Sequence, residues 1–69
     1  MSITMKSYKQ DDLYVELEWD KYEPHYVVFV GKRFKDNLYH TISNRRYATE
    51  KQAKSAYYRQ VSLVKKGNY

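Results

Sequence analysis

The stretch YATEKQAKSAY, residues 47–57, is where the sequence changes from a strand pattern to a helix pattern. Thr49 followed by Gln52 is a capping box, in which the threonine side chain accepts a hydrogen bond from the first turn of a helix. Lys65 and Lys66 suit the negative end of the helix dipole, and Gly67 is a natural stop. The apolar residues recur at helical spacing, at Ala53, Ala56, Tyr57, Val61 and Val64, with Leu63 at the edge of the stripe.

Three segments before this helix have the pattern of strands. Residues 13–19 alternate between apolar and polar side chains, which predicts a half-buried strand. Residues 25–34 are apolar on both faces, as in a central strand, and residues 38–47 make a third strand. Pro24 is expected to set the first turn. A three-residue loop at 35–37 is expected to place Asn37 in the left-handed conformation.

The predicted fold is therefore α+β, a three-stranded antiparallel sheet with one C-terminal helix packed on one face (β-β-β-α). Residues 13–67 form a single domain, and residues 1–12 are either an N-terminal tail or a short edge strand that contains Ile3 and Met5.

The pairing register decides which side chains lie beside the helix. With Trp19 opposite His25 and Val30 opposite Ile42, Val27 and Phe29 are expected beside the helix. A slip of one residue would reverse a strand, because side chains alternate with a period of two. The opposite face is expected to present Tyr14, Tyr26, Val28, Val30, His40 and Ile42, with Glu16, Glu18, Lys32 and Arg46 around them.

Composition excludes several classes of protein. The absence of cysteine among 69 residues rules out a disulfide-stapled scaffold, a thiol nucleophile and cysteine-based metal sites. No apolar run approaches the roughly 20 residues of a membrane span, and the N-terminus lacks the apolar core of a secretion signal. We therefore expect a cytoplasmic protein with no membrane partner.

Catalysis and cofactor binding are not expected. His25 and His40 are the only histidines, and the predicted register places them on opposite faces. No phosphate loop or nucleophile elbow is present. Glu16 and Glu18 lie two apart on a strand, which is more typical of solvated alternation than of a catalytic carboxylate pair. The sequence predicts a binding protein that is not an enzyme.

Charge is distributed unevenly along the chain, whose net charge is +5. Residues 1–24 have three basic and six acidic residues, whereas residues 25–69 have ten basic and two acidic residues. Such a basic block attracts polyanions, nucleic acid first. Aromatic side chains interleave with the basic ones, and Lys, Arg and Tyr together suit duplex DNA. The predicted contact residues are Lys32, Arg33, Lys35, Arg45, Arg46, Tyr26, Tyr39 and His40.

Three strands followed by a helix that begins Tyr47-x-Thr49 and continues Ala53-x-x-Ala56-Tyr57 resemble two families of DNA-binding domain. One is the ethylene-response-factor type, and the other is the arm-site DNA-binding domain of phage and transposon integrases. The likeness covers residues 25–67, with about eleven specific residues. It implies major-groove contact by the exposed sheet face, and a phage or mobile-element origin. By this resemblance only Lys32, Arg46 and Arg45 could fill a contact role, whereas Glu16 and Glu18 stand where the ethylene-response type has arginines.

A second hypothesis is a protein-binding accessory factor, such as an anti-CRISPR or another anti-defence inhibitor. Its partner would be a host protein that itself binds nucleic acid. Tyrosine richness and an apolar outer face favour this reading, because Tyr is common at binding hot spots. The predicted interface is Tyr14, Tyr26, Val28, Val30 and Ile42, and the protein is either a monomer or a homodimer stacked sheet to sheet.

Overall fold

A computed structural model describes residues 2–21 and 25–69 of the chain. The elements are β1 (Ser2–Gln10), β2 (Leu13–Asp20), β3 (His25–Arg33), β4 (Tyr39–Tyr47) and α1 (Glu50–Lys65). The strands form one antiparallel sheet in the order β1-β2-β3-β4. The α+β class and the C-terminal helix are as predicted, but the sheet has four strands rather than three.

The additional strand is β1, which pairs with β2 along its length. Its side chains are mostly polar, so it lacks the apolar alternation by which strands are recognised in a sequence. A two-residue turn joins Gln10 to Leu13, and Asp11 takes the left-handed conformation there (φ 55°). Aspartate tolerates this conformation. The first residues therefore form an edge strand of nine residues rather than a tail.

Helix α1 begins and ends as the sequence predicts. Thr49 is the N-cap, and its hydroxyl oxygen accepts a hydrogen bond from the Gln52 backbone N–H at 3.3 Å. Gly67 takes a positive φ of 74° after the last turn. Its N–H donates to the Val64 carbonyl at 3.1 Å. The buried side of the helix consists of Ala53, Ala56, Tyr57, Val61 and Val64.

The helix packs on one side of the sheet, which we call the covered face, and leaves the other as the open face. Val15 and Leu17 of β2 and Val28 and Val30 of β3 form the core with α1. Val15, Leu17 and Val30 are completely buried. The small Ala53 and Ala56 allow the helix to approach the sheet closely.

The predicted faces of β3 are wrong. Trp19 pairs with Tyr26 rather than with His25, which shifts β3 by one residue against β2. On its other side Val30 pairs with Ser43 rather than with Ile42. Against both β2 and β4, a shift of one residue turns β3 over, so its side chains lie on the faces opposite to those predicted. Val28 and Val30 therefore face the helix, whereas Phe29 lies on the open face.

A β-bulge explains the second shift. The register of β3 with β4 changes between Val30 and Gly31, so that Ile42 is an extra residue in β4. Beyond the bulge the predicted pairing is correct, and the Phe34 N–H donates to the Leu38 carbonyl at 3.2 Å. Asn37 takes the left-handed conformation (φ 63°), as predicted. The turn expected at Pro24 lies outside the described residues.

Candidate nucleic-acid interface

The structure does not bring the eight predicted contact residues together. Arg33, Tyr39 and Arg46 belong to the open face. Lys35 lies in the exposed loop at the tip of the β3–β4 hairpin. The other four predicted contact residues occupy covered-face positions in the register. They are Tyr26, Lys32, His40 and Arg45.

The hairpin tip combines basic and apolar side chains. Arg33 forms a salt bridge with Asp12, whose Oδ1 is 2.7 Å from the Arg33 Nη2. The Lys32 ammonium lies 5.8 Å from the centre of the Phe34 ring. The His40 Nε2 is 2.9 Å from the Asp36 Oδ2, and this hydrogen bond lowers the pKa of Asp36. Acidic partners therefore already contact two of the predicted contact residues.

The centre of the open face is acidic. Its β2 positions carry Glu16, Glu18 and Asp20, which we call the carboxylate stripe. Burial is the largest cause that raises the pKa of Glu16, and the neighbouring Glu18 carboxylate raises it further. A hydrogen bond with Thr4 opposes this shift. Because a second negative charge is already unfavourable here, the stripe repels phosphate groups.

Two tyrosines form an ordered pair beside this stripe. The Tyr14 and Tyr39 rings meet edge to face, with centroids 5.1 Å apart and an interplanar angle of 77°. Tyr14 lies directly over Gly31, where a Cβ atom would be 2.1 Å from the Tyr14 Cε1. The Lys9 ammonium and the Arg33 guanidinium lie 5.5 and 5.9 Å from the centre of the Tyr39 ring.

The pair borders a groove of about 380 Å³, the tyrosine groove, on the open face. Its lining residues are Ser7, Tyr8, Lys9, Tyr14, Glu16 and Tyr39. Cations beside an exposed aromatic ring are typical of surfaces on which an unpaired base stacks.

A second groove, of about 440 Å³, lies between the end of β4 and the first turns of α1. We call it the β4–α1 groove. Three of its lining residues are basic, namely Arg46, Lys51 and Arg59, and none is acidic. The remaining lining residues are Tyr47, Ala48, Gln52, Ser55 and Ala56.

Lys51 and Arg59 lie outside the apolar stripe of the helix and are not among the eight predicted contact residues. Lys51, Ser55 and Arg59 are four residues apart, so they follow one line on the helix surface. This spacing, together with the single acidic residue in 37–69, is the signal that could have identified them.

The predicted protein interface is also divided. Val28 and Val30 are 3% and 0% exposed beneath α1, so they cannot meet a partner while the domain is folded. Tyr26 is half-buried against the same core. Tyr14 belongs to the open face, and Ile42, at the bulge, is 40% exposed. The expectation that these five residues share an outer face is wrong, because β3 is reversed.

Within residues 2–21 and 25–69, no group of three or more His, Cys, Asp or Glu side chains could hold a metal ion. The same residues contain no helix that is long and apolar enough to cross a membrane. His25 and His40 occupy register positions on opposite faces, as predicted.

The described residues thus form a small α+β domain, a four-stranded antiparallel meander with one helix on one face. Comparisons of the chain with family models, curated proteins and solved structures found no match. The resemblance to the two DNA-binding families stays a prediction.

Proposed function

We propose that this protein is a non-catalytic module that binds the phosphate backbone of nucleic acid through the β4–α1 groove. The observation that carries the proposal is a groove with three basic side chains and no carboxylate among its lining residues. Lys and Arg neutralise phosphates and release condensed counterions, which supplies most of the affinity in non-specific binding. Tyr47, Gln52 and Ser55 add the polar groups that commonly contact phosphate and sugar.

The charge of the surrounding chain supports this site. Residues 37–69 contain seven basic residues and one acidic residue, Glu50. The Glu50 carboxylate is 3.4 Å from the Lys54 ammonium, one turn along the helix. It also lies in the first turn of α1, where the helix dipole favours a negative charge. The single carboxylate of this region is therefore partnered outside the groove.

The proposed contact differs from the one that the family resemblance implies. Those families use the exposed sheet face, but here the carboxylate stripe occupies the middle of that face. Placing the phosphates at the β4–α1 groove keeps Arg46 in a contact role and adds Lys51 and Arg59. Neither Glu16 nor Glu18 lines this groove.

The test is a fluorescence-anisotropy titration of labelled random-sequence DNA at about 50 and 200 mM salt. We expect affinity to fall steeply with salt. The K51A/R59A variant should bind more weakly, and the slope of log K against log[salt] on duplex DNA should fall by about 0.9 for each lost phosphate contact.

The matched control is K21A/K66A, which removes the same charge at exposed positions outside the groove. An equal loss of affinity in both variants would show that net charge, and not the groove, binds the polyanion. An absence of binding at 50 mM salt would overturn the proposal.

A second candidate function, binding of a protein partner, is favoured by exposed apolar side chains at the hairpin. Phe34, Leu38, Tyr39 and Ile42 are 47%, 61%, 37% and 40% exposed. Aromatic residues beside arginine are enriched at binding hot spots, and Arg33 lies next to Phe34 and Tyr39. This hairpin replaces the sheet face as the surface that an anti-defence inhibitor would use.

The hairpin is tested by comparing the wild-type protein with L38E as baits in a pull-down. A protein bound by the wild type and lost with L38E, while K51A/R59A retains it, would favour this second function. Retention by L38E would exclude the hairpin tip.

A further inference from the structure

Strand β4 connects the tyrosine groove to the β4–α1 groove. Tyr39 is its first residue and lines the former, while Arg46 lies near its other end and lines the latter. Both occupy open-face positions in the register with β3. Seven residues at about 3.3 Å each separate them by roughly 23 Å. No residue of β4 is acidic.

The spacing of the strands limits what can lie on this face. Neighbouring strands are about 4.8 Å apart, so the carboxylate stripe on β2 lies roughly 10 Å from β4. The major groove of a duplex is about 12 Å wide, with one phosphate row along each edge. A duplex with one row along β4 would therefore bring its second row close to Glu16 and Glu18. A single strand has one row of phosphates, which can stay on β4, so only the Glu16 carboxylate at the tyrosine groove opposes it.

The Tyr39 ring is exposed and held in place, as a ring on which an unpaired base stacks must be. It is 37% exposed, and the Tyr14 ring packs against it in an edge-to-face arrangement. Tyr14 can lie against the sheet because residue 31 has no Cβ. Lys9 and Arg33 approach the same ring. Arg33 is held by Asp12, so the Lys9 ammonium is the group placed to meet the phosphate of a stacked nucleotide.

From this arrangement we propose that the ligand is single-stranded nucleic acid, lying along β4 with one base against Tyr39 and its phosphates extending to the β4–α1 groove. This inference rests on the proposed function and names the class of nucleic acid. The chemistry of the site, stacking plus phosphate neutralisation, is shared by single-stranded DNA and RNA. Both are therefore included in the test.

The experiment measures binding of a labelled oligonucleotide of about 12 nucleotides, within the usual range of single-strand sites. The same oligonucleotide annealed to its complement is titrated separately, so that the affinities of the single strand and the duplex can be compared. We expect the single strand to bind at least tenfold more tightly than the duplex at equal salt. A preference for RNA over DNA would indicate contacts to the 2′-hydroxyl and would also support the inference.

Tyr39 provides the decisive variant. Y39A should weaken single-strand binding by about 5- to 150-fold, the usual effect of removing one stacking side chain. Y39F should retain it, since the ring remains, and Y58A is the control because Tyr58 is exposed on the helix. Duplex binding that equals single-strand binding, or a Y39A affinity equal to the wild type, would overturn the inference.

The carboxylate stripe gives an independent test. E16Q/E18Q should increase duplex affinity more than single-strand affinity. The control D11N/E50Q removes the same charge outside the open face and should not change the ratio of the two affinities.

If duplex and single strand bind equally and K51A/R59A weakens both, the proposed function stands and this inference fails. If neither nucleic acid binds at about 50 mM salt, both fail.

Discussion

The two faces of the sheet differ most clearly at Val27 and Val28, which are adjacent in β3. Both are nearly buried, at 7% and 3% exposed. Val28 belongs to the core that α1 closes, whereas Val27 lies outside it, paired with Glu18 and Arg46 on the open face. Val28 is therefore buried beneath α1, whereas Val27 is almost equally buried on the face that α1 does not cover.

Apolar burial and charge are therefore separated by the plane of the sheet. The covered face excludes water and supplies the apolar burial that holds a 69-residue domain together. The open face carries charges because nothing in the described residues packs over it as α1 packs over the other side. The following predictions are ordered from the largest effect to the smallest.

The largest effect is expected from V28K. A lysine at this position would bury an unpaired charge beneath α1, which typically costs several kcal/mol and exceeds what a small domain tolerates. V27K should remain folded, because its side chain can extend along the open face towards the Glu18 carboxylate. Urea denaturation followed by circular dichroism measures both. Similar unfolding midpoints for the two variants would contradict the separation of faces.

The second prediction concerns the close approach of Tyr14 to Gly31. G31A should lower the free energy of unfolding by about 1–3 kcal/mol, because the new Cβ would overlap the Tyr14 ring. In a Y14A background the same change should be neutral or slightly stabilising. The double-mutant cycle measures the coupling directly. Additive effects would show that the ring does not rest on residue 31.

Substitutions at Thr49, the N-cap of α1, measure how much the helix contributes to the stability of the domain. T49A removes the hydroxyl that accepts the Gln52 N–H hydrogen bond, and should cost about 1 kcal/mol in unfolding free energy. T49S should retain most of that stability, since serine caps equally well. Equal losses in the two variants, measured by thermal denaturation, would argue against the cap.

The smallest effects are those of pH on two carboxylates with opposite shifts. Burial and Glu18 raise the pKa of Glu16 in the folded state above its usual value of 4.5. Its contribution to stability is therefore present below that value and lost as the pH rises through the folded pKa. E16Q should stabilise the protein slightly at pH 7, and this gain should disappear at low pH.

Asp36 should behave in the opposite way. Its hydrogen bond with His40 lowers its pKa below the usual 3.8. The stabilisation is present above that value and lost as the pH falls through the folded pKa. D36N should therefore destabilise slightly at pH 7 and be neutral in strong acid. Denaturation curves at several pH values would contradict this assignment if the two variants shifted stability in the same direction.

Much of the architecture could be predicted from local pattern. The capping box at Thr49, the apolar spacing from Ala53 to Val64 and the stop at Gly67 define the helix. The alternation in residues 13–19 is that of a strand with one buried face. Strand β1 was missed as a full strand, because its partner β2 and not its own hydrophobicity orders it.

The candidate site was predicted less well. Basic and aromatic side chains were recognised as the relevant chemistry, but the selected residues lie on both faces of the sheet. The basic lining residues of the β4–α1 groove are Arg46 and two helix residues outside the apolar stripe, Lys51 and Arg59. This groove forms because β4 and α1 lie side by side, and the pattern of residues along the sequence does not give the distance between two elements.

The sequence by itself determined the helix, its ends, three of the four strands and the uneven distribution of charge, because each depends on interactions within a few residues. Only the tertiary structure decided which face β3 presents. The pairing of Trp19 with Tyr26 and a bulge at Ile42 each shift the register by one residue. Since side chains alternate with a period of two, these shifts move Val28 and Val30 into the core and Phe29 to the open face.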